Sequence, residues 1–567
     1  MIQARGLSKC CGHKVAHGAI TKRAGELAMV RGFTRWAAAL LCLSASVSVG
    51  SAAAAGRGVP AGSGAAPLVV RTGKGLVRGV ENGGAREFLG IPYAAPPVGR
   101  LRWRPPQPAA RWRGIRDASK PGNVCAQYGS IATGVPVTST AEDCLYLNVY
   151  TPATFRFRPR PVMVWIHGGG FTGGAGSIYD GGPLAVTGNV VVVTINYRLG
   201  PFGFLALPSL DAESPDGSSG DYGLEDQQAA LRWVQRNARA FGGDARDVTI
   251  VGQSAGGESV CDNMASPTAT GLFAHAITES GCLQSLQNQR QAEQRDASFA
   301  AQLGCTNAAT AAACLRGKPV TSLLAAAGGV PGGWAPVVGA PALPLQPATA
   351  FRTGRYTHVP LLQGTNHDDE RLSVGFEFDA LGHPMTAAQY PAILASQFGA
   401  ADAAKIEARY PLSAYPSPDL AYGSVLTDSQ SSCPTLATDT LVSRSGVYAY
   451  EFSDPDPPND LGIAFGITFS FPLGDAHTAE LQYVFGKIPY LDITPPFTAP
   501  QFTLSAQMMK YWSRFAATGN PNGGGAPYWP VFDPGRQRIE ELTSTGIAPE
   551  TSFGAYHQCA FWARIEG

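Results

Sequence analysis

Two glycine-bounded segments carry residue types that could perform acyl chemistry. In Val162-Met-Val-Trp-Ile-His-Gly-Gly-Gly-Phe171 an apolar run stops on three glycines, which reads as a buried strand delivering bare backbone N–H groups to a surface where an oxyanion could sit. In Val248-Thr-Ile-Val-Gly-Gln-Ser-Ala-Gly256 a second β-branched run breaks into Gly-x-Ser-x-Gly, the strand–turn–helix setting that forces a serine onto a strained elbow. The flanking glycines let neighbouring backbone approach that elbow, and the helix N-terminus that follows favours negative charge. Ser254 is therefore the candidate nucleophile. With 68 glycines in the chain the pattern alone is weak; its uniqueness here and its place at a strand end give it weight.

A serine hydroxyl attacks poorly until a base takes its proton, so a histidine held in its tautomer by a carboxylate must lie within reach. After residue 55 the candidates are His167, His275, His358, His367, His383, His477 and His557. His477, in Gly474-Asp-Ala-His-Thr-Ala-Glu480, sits in a glycine-containing loop after the nucleophile, in the chain order of an α/β-hydrolase. Pattern alone leaves a structural loop histidine as the alternative.

The elements that must position these groups are legible as strands. Val162–Ile166, Val190–Asn196 and Val248–Gly252 are near-continuous β-branched runs, as parallel strands covered on both faces require, and Leu224–Phe241 has helical spacing. Further strands are expected at 274–278, 360–364 and 447–452, with a hairpin opening over 68–93 that turns at Asn82-Gly-Gly84. Alternating strands and helices predict an α/β sheet.

The chain has 567 residues, 44% of them hydrophobic, and a formal net charge of +1. That is ample for a buried core and directs the chain to neither nucleic acid nor an anionic membrane surface. Residues 1–55 differ in kind. Arg31 and Arg35 precede an apolar stretch, Trp36–Val49, followed by Ser51-Ala-Ala-Ala-Ala55, the order of a secretory signal with cleavage near 53–55 and Met29 as an alternative start. A membrane anchor is the competing reading, but a spanning helix needs about 20 apolar residues, more than this stretch offers. Residues 56–567 are expected to form one domain.

Three of eleven cysteines, Cys10, Cys11 and Cys42, fall in the leader, which leaves an even eight. An oxidising compartment and up to four disulfides are expected, with Cys125/Cys144 and Cys305/Cys314 as the natural short loops. No CxxC or HExxH spacing points to a metal, and no cofactor is implied.

The chain resembles the type-B carboxylesterases, the cholinesterase-like branch of the α/β-hydrolases, over nearly all of residues 68–563. The words that carry the resemblance are Phe88-Leu-Gly-Ile-Pro-Tyr-Ala94, Pro96-Pro-Val-Gly99, Glu142-Asp-Cys-Leu-Tyr-Leu-Asn148, His167-Gly-Gly-Gly-Phe171, Asn196-Tyr-Arg198, Gly223-Leu-Glu-Asp-Gln227, Phe241-Gly-Gly-Asp244 and Gly252-Gln-Ser-Ala-Gly-Gly257. It implies an α/β-hydrolase fold: a large, mostly parallel central sheet with helices on both faces and an N-terminal β-hairpin. It also implies Ser254 as nucleophile, His477 as general base and acid, and the N–H groups of Gly169, Gly170 and Ala255 as the oxyanion hole. The family's acid lies in a Gly-x-Asn-x-Asp-Glu-Gly word, and here the chain reads Gly364-Thr-Asn-His-Asp-Asp-Glu370. Asp369 thus stands where a glutamate is usual, and Glu370 is the alternative after a one-residue slip. His167 and Phe171 read as shape residues of the oxyanion loop, and His367 as a loop residue rather than a second base. The family pairs cysteines matching Cys125/Cys144 and Cys305/Cys314. Cys261/Cys282 and Cys433/Cys559 remain as the other pairs, the alternative being buried free thiols.

The implied activity is hydrolysis of a small-molecule carboxylic ester, with no nucleic acid partner and no stable membrane insertion after leader removal. Two departures argue against choline esters: residues 126–143 contain no tryptophan to face a quaternary ammonium, and Gln253 replaces the usual glutamate before the nucleophile. Trp334, Ala335, Pro336 and Val337 are candidates for an apolar acyl pocket. Two rivals stand beside this reading. One is an adhesion-type binding protein, which would keep the fold and lose the triad. The other is a peptidase, which would need a propeller domain whose repeats are absent here.

Overall fold

The computed structural model describes residues 66–565, apart from 130–136, 283–284, 381, 490 and 492. The proposed leader lies outside the described residues. Fourteen strands are described: β1 (Val69–Arg71), β2 (Leu76–Arg78), β3 (Val80–Asn82), β4 (Ala85–Pro92), β5 (Ile115–Asp117), β6 (Tyr146–Pro152), β7 (Arg160–Ile166), β8 (Val191–Ile195), β9 (Gly243–Gln253), β10 (His275–Glu279), β11 (Leu361–Asn366), β12 (Val447–Phe452), β13 (Ile539–Thr543) and β14 (Gly546–Glu550). Strands β1, β2 and β5 form a small separate sheet. The other eleven form one large sheet in the order β14-β13-β12-β11-β10-β9-β7-β8-β6-β4-β3. From β8 to β13 neighbouring strands are parallel, and antiparallel pairs finish both ends. The hairpin turn falls at Gly83-Gly84, where Asn82 pairs with Ala85 and both glycines adopt positive φ.

Side-chain alternation explains why the central strands read as unbroken apolar runs. On β7, Val162, Val164 and Ile166 enter one core while Met163 and Trp165 enter the other. On β8, Val191, Val193 and Ile195 are likewise separated from Val192. Each face is covered by helix, so neither set can be polar. The helix Tyr222–Asn237 brings Leu231, Trp233 and Val234 to the first face. The helix Ala499–Thr518 brings Leu504, Met508, Trp512 and Phe515 to the second. Where β8 ends, Arg198 grips Asp226 of the helix Tyr222–Asn237 through two bonds of 2.7 and 2.8 Å, both side chains being buried. This bidentate pairing compensates two charges that would otherwise be costly inside the protein.

Four disulfides join Cys125 to Cys144, Cys261 to Cys282, Cys305 to Cys314 and Cys433 to Cys559. The last spans 126 residues and ties the C-terminal helical turn to the helix Cys433–Val442. Disulfides persist in oxidising surroundings, so an extracellular or periplasmic protein is indicated. No helix among the described residues is long and apolar enough to cross a membrane.

One buried acid weakens this fold. Asp439, on the helix Cys433–Val442, is fully buried. Among the described residues neither carboxylate oxygen has a hydrogen-bond partner, and burial drives its pKa well above the ordinary 3.8. A folded-state pKa above the unfolded one costs stability as pH rises past the unfolded value and costs nothing below it. Asp439→Asn should therefore stabilise the protein by roughly 1–3 kcal/mol at pH 8, with a gain that shrinks towards pH 4. Denaturant midpoints of both proteins across that range check this; a pH-independent difference would contradict the unpaired acid.

Candidate active site

The site is built on the C-terminal ends of the parallel strands. At the end of β9, Ser254 takes φ 57°, ψ −129°, a region that non-glycine residues occupy only under strain of about 1–3 kcal/mol. Its N–H is held by Glu279 O at 2.9 Å, and the helix Ala255–Ala265 starts immediately after it. The glycines are required by contact. A Cβ on Gly256 would lie 2.0 Å from Ile166 O, one on Gly252 2.3 Å from Gly256 O, and one on Gly168 2.7 Å from Gln253 O. The loop leaving β7 is thus pressed against the elbow, backbone on backbone.

That loop turns through Gly169 and Gly170 with φ 106° and 59°. Among the described residues the N–H groups of Gly169, Gly170 and Ala255 donate no hydrogen bond, which leaves them available to a ligand. His167 braces the loop: its Nδ1 lies 2.8 Å from Gly168 O, its ring stacks on Tyr197 at 4.5 Å, and burial lowers its pKa to about 4. It is a neutral, structural imidazole. Phe171 packs edge-on against Phe204.

Opposite the elbow, the loops after β11 and β12 bring Asp369 and His477 together across 108 residues of sequence. His477 Nδ1 is 3.2 Å from each carboxylate oxygen of Asp369, and the His477 N–H donates to Asp369 O at 2.8 Å. Glu370 makes no hydrogen bond to His477 among the described residues; it accepts from Ser373, and its other oxygen lies 3.1 Å from the Ser431 hydroxyl. Two hydroxyls hold the Asp369 carboxylate in place, Ser280 on Oδ1 and Ser431 on Oδ2, each at 2.8 Å. Ser431 lies in a π-helical turn, Thr427–Ser432. Burial pushes the Asp369 pKa up, but the His477 charge and these hydrogen bonds outweigh it and hold the carboxyl below its ordinary value. Burial pushes His477 down, yet Asp369 first, then Glu370 and Glu480, lift it to about 9.

Several contacts here were not foreseen from the sequence. Gln253 Nε2 lies 3.0 Å from His477 Nε2, whereas no hydrogen bond joins Ser254 Oγ to His477 among the described residues. Glu480, three positions after His477, is buried and accepts from Asn366 at 2.6 Å; burial lifts it to about 7. Its spacing within the His477 word was the one available signal. Ser280 and Ser431 carried none. Of the acyl-pocket candidates at 334–337, Trp334 is buried edge-on against Phe299 beneath Arg295. A cavity of about 640 Å³ meets His477, lined by Leu372, Ile463, Phe469 and Phe471 and also by Asn459, Thr468, Thr498 and Gln501. Ser254 is not in its wall, so this cavity reaches the group from the imidazole side.

Comparison with known proteins gives a consistent result. The model of the carboxylesterase family matches residues 66–562. The chain is 35% identical to the para-nitrobenzyl esterase of Bacillus subtilis (strain 168), over 82% of this chain and 92% of that protein. It is 34% identical to the fumonisin B1 esterase of Sphingopyxis macrogoltabida, over 82% and 85%. Against the cocaine esterase of Homo sapiens the identity is 33%, over 85% and 88%. Among solved structures, a thermophilic PNB esterase superposes with a TM-score of 0.73 at 34% identity, covering 87% of this chain and 99% of its own.

The electrostatics of His477 can be tested directly. Asp369→Asn removes the charge that outweighs burial, so the imidazole pKa should fall from about 9 to below the ordinary 6.5. Gln253→Glu should raise it further by placing a carboxylate beside Nε2. Ring-proton NMR titration reads both shifts, and an unmoved His477 in Asp369→Asn would show that the pair is not coupled.

Proposed function

Because this chain belongs to the carboxylesterase family and is a carboxylic ester hydrolase, we propose that it acts through an acyl-enzyme on Ser254, with His477 moving the proton and Asp369 holding the imidazole. The observation that carries this reading is the contact of the His477 imidazole with the Asp369 carboxylate, the only carboxylate hydrogen-bonded to it among the described residues, at the same strand ends as a strained serine and three undonated N–H groups.

In this reading His477 Nε2 accepts the Ser254 proton as Oγ attacks the ester carbonyl, and Asp369 fixes the tautomer with hydrogen on Nδ1. The oxyanion is received by the N–H groups of Gly169, Gly170 and Ala255, typically worth about 3 kcal/mol per donor. His477 returns the proton to the departing alcohol, and water repeats the cycle on the acyl-enzyme. The Gln253 amide group lies 3.0 Å from Nε2, at the position that the serine hydroxyl takes in this reading.

The substrates are neutral carboxylic esters rather than choline esters. The described lining of the cavity beside His477 mixes apolar and polar side chains; it holds no lysine or arginine to retain an anionic ester and one exposed carboxylate, Asp456. The missing tryptophan in 126–143 and the amide at Gln253 in place of a carboxylate remove two features that would favour a quaternary ammonium. Residues 1–55 are read as a leader removed on export to the periplasm or medium and 56–567 as one enzyme domain; the four disulfides support the oxidising destination.

Purified protein should hydrolyse p-nitrophenyl esters of short and medium acyl chains, and Ser254→Ala should lose about four orders of magnitude or more in kcat. Butyrylthiocholine should be turned over at least ~100-fold less efficiently than the matched neutral ester, a difference of about 2.7 kcal/mol in transition-state binding. Full activity in Ser254→Ala would refute the nucleophile, and equal turnover of the choline ester would refute the substrate class.

A further inference from the structure

A second constellation of chemistry-bearing side chains lies beyond the site above, on the outer side of the same strand ends. His367 follows β11, Glu451 is the penultimate residue of β12, and His557 stands between the C-terminal helical turns Phe553–Tyr556 and Cys559–Ile565. His367 Nδ1 and His557 Nε2 both lie on Glu451 Oε1, at 2.9 and 2.7 Å. One donor atom from each of the three residues falls within 4.8 Å of the others. Ligands held at about 2.0–2.2 Å in a tetrahedral site stand roughly 3.4 Å apart, so small shifts of the two imidazoles, opening their contacts with Glu451 Oε1, would let one cation take the place of the bridging protons.

The outer nitrogens provide an independent observation. His557 Nδ1 is 2.7 Å from Asp428 Oδ1, and His367 Nε2 is 2.9 Å from the Tyr556 hydroxyl. A metal-bound imidazole is oriented in this way, its far N–H donated to a carboxylate or another oxygen so that the near nitrogen presents its lone pair. The charge balance points the same way. Glu451 and Asp428 are both buried, and Asp368, the next nearest acid in sequence, is already matched by Arg371 at 2.7 Å. Two buried carboxylates facing two imidazoles call for positive charge, which one divalent cation or two protons can supply. Access exists through His367, whose side chain is 27% exposed against 1% for His557.

We propose that His367, Glu451 and His557 form a divalent-metal site of the two-imidazole, one-carboxylate type, suited to Zn2+ or a similar first-row ion, with Asp428 and Tyr556 orienting the imidazoles. The ion staples the C-terminal segment to β11 and β12. Because His367 is two residues before Asp369, it also braces the loop that carries the acid. No step of ester hydrolysis passes through it.

The test uses the purified full chain, stripped with chelator and titrated with Zn2+ and, separately, Co2+. One equivalent per chain is expected by elemental analysis after desalting, together with a rise in Tm of about 3 °C or more at saturating metal. With Co2+, visible d–d absorption should saturate at the same single equivalent. His367→Ala, changed at the most exposed ligand, should lose the retained metal, the Tm shift and the spectrum, while Ser254→Ala keeps all three. Should His367→Ala fail to fold, Tyr556→Phe, which removes only an orienting hydroxyl, is expected to weaken Co2+ binding at least tenfold. Absence of retained metal and of any Tm shift in the wild type would overturn the proposal and leave a proton-held ion network. Retention of metal by folded His367→Ala would overturn it as well.

Discussion

Everything in this protein depends on one close approach of backbone to backbone. The carbonyl of Ile166, at the end of β7, sits so near Gly256 that a methyl group there would overlap it at 2.0 Å. Gly252 and Gly168 are clamped in the same knot. That contact brings the turn at Gly169-Gly170 beside the elbow at Ser254, and it can form only where three successive crossings lack side chains. The parallel pairing of β7 with β9 fixes the relative height of the two strand ends, Ile166 opposite Gly252. The large sheet therefore acts as a ruler, and the strain at Ser254 is sustained because packing on both faces over-determines it.

Around this knot the protein assembles carboxyl groups out of contact with water. Asp369, Glu480 and Glu279 are all buried near the imidazole edge of the site, and Glu279 donates nothing to relieve its neighbours; it accepts from Trp512 at 2.6 Å. Burial raises Glu480 and raises Glu279 well above its ordinary value, so the group closest to Nδ1 keeps its charge while those behind it tend to hold protons. The difference comes from hydrogen bonds: Asp369 receives two hydroxyls and an imidazole, whereas one oxygen of Glu279 and one of Glu480 receive nothing. The two serines also account for how a side chain one methylene shorter than glutamate is held with both oxygens 3.2 Å from the ring.

The far edge of the sheet is secured by a different set of bonds. The turn Thr427–Ser432 serves two masters, placing Ser431 on Asp369 and Asp428 on His557. The disulfide between Cys433 and Cys559 closes the same region covalently. The Asp369 carboxylate and the C-terminal segment are thus held by one stretch of six residues.

The strands, the hairpin turn, the elbow and the two candidate partners of the serine were legible in the sequence because each is encoded by contiguous residues. β-branched runs favour a pleated backbone buried on both faces, and glycines mark the positions where a side chain cannot fit. Neighbouring Asp369 and Glu370 could not be told apart in this way, since a one-residue step reverses direction in a loop without changing its composition. The approach of the Gln253 amide to His477 and the hydroxyls of Ser280 and Ser431 on Asp369 were likewise invisible. Each joins residues dozens to hundreds of positions apart, at distances set by strand order and by the height at which each loop leaves the sheet. Local sequence determined which backbone shapes could form and which residue types could do the chemistry. Only the closed tertiary structure decided which side chains meet, because a hydrogen bond needs placement within a few tenths of an ångström, and only the packing of the whole sheet with its helices supplies that.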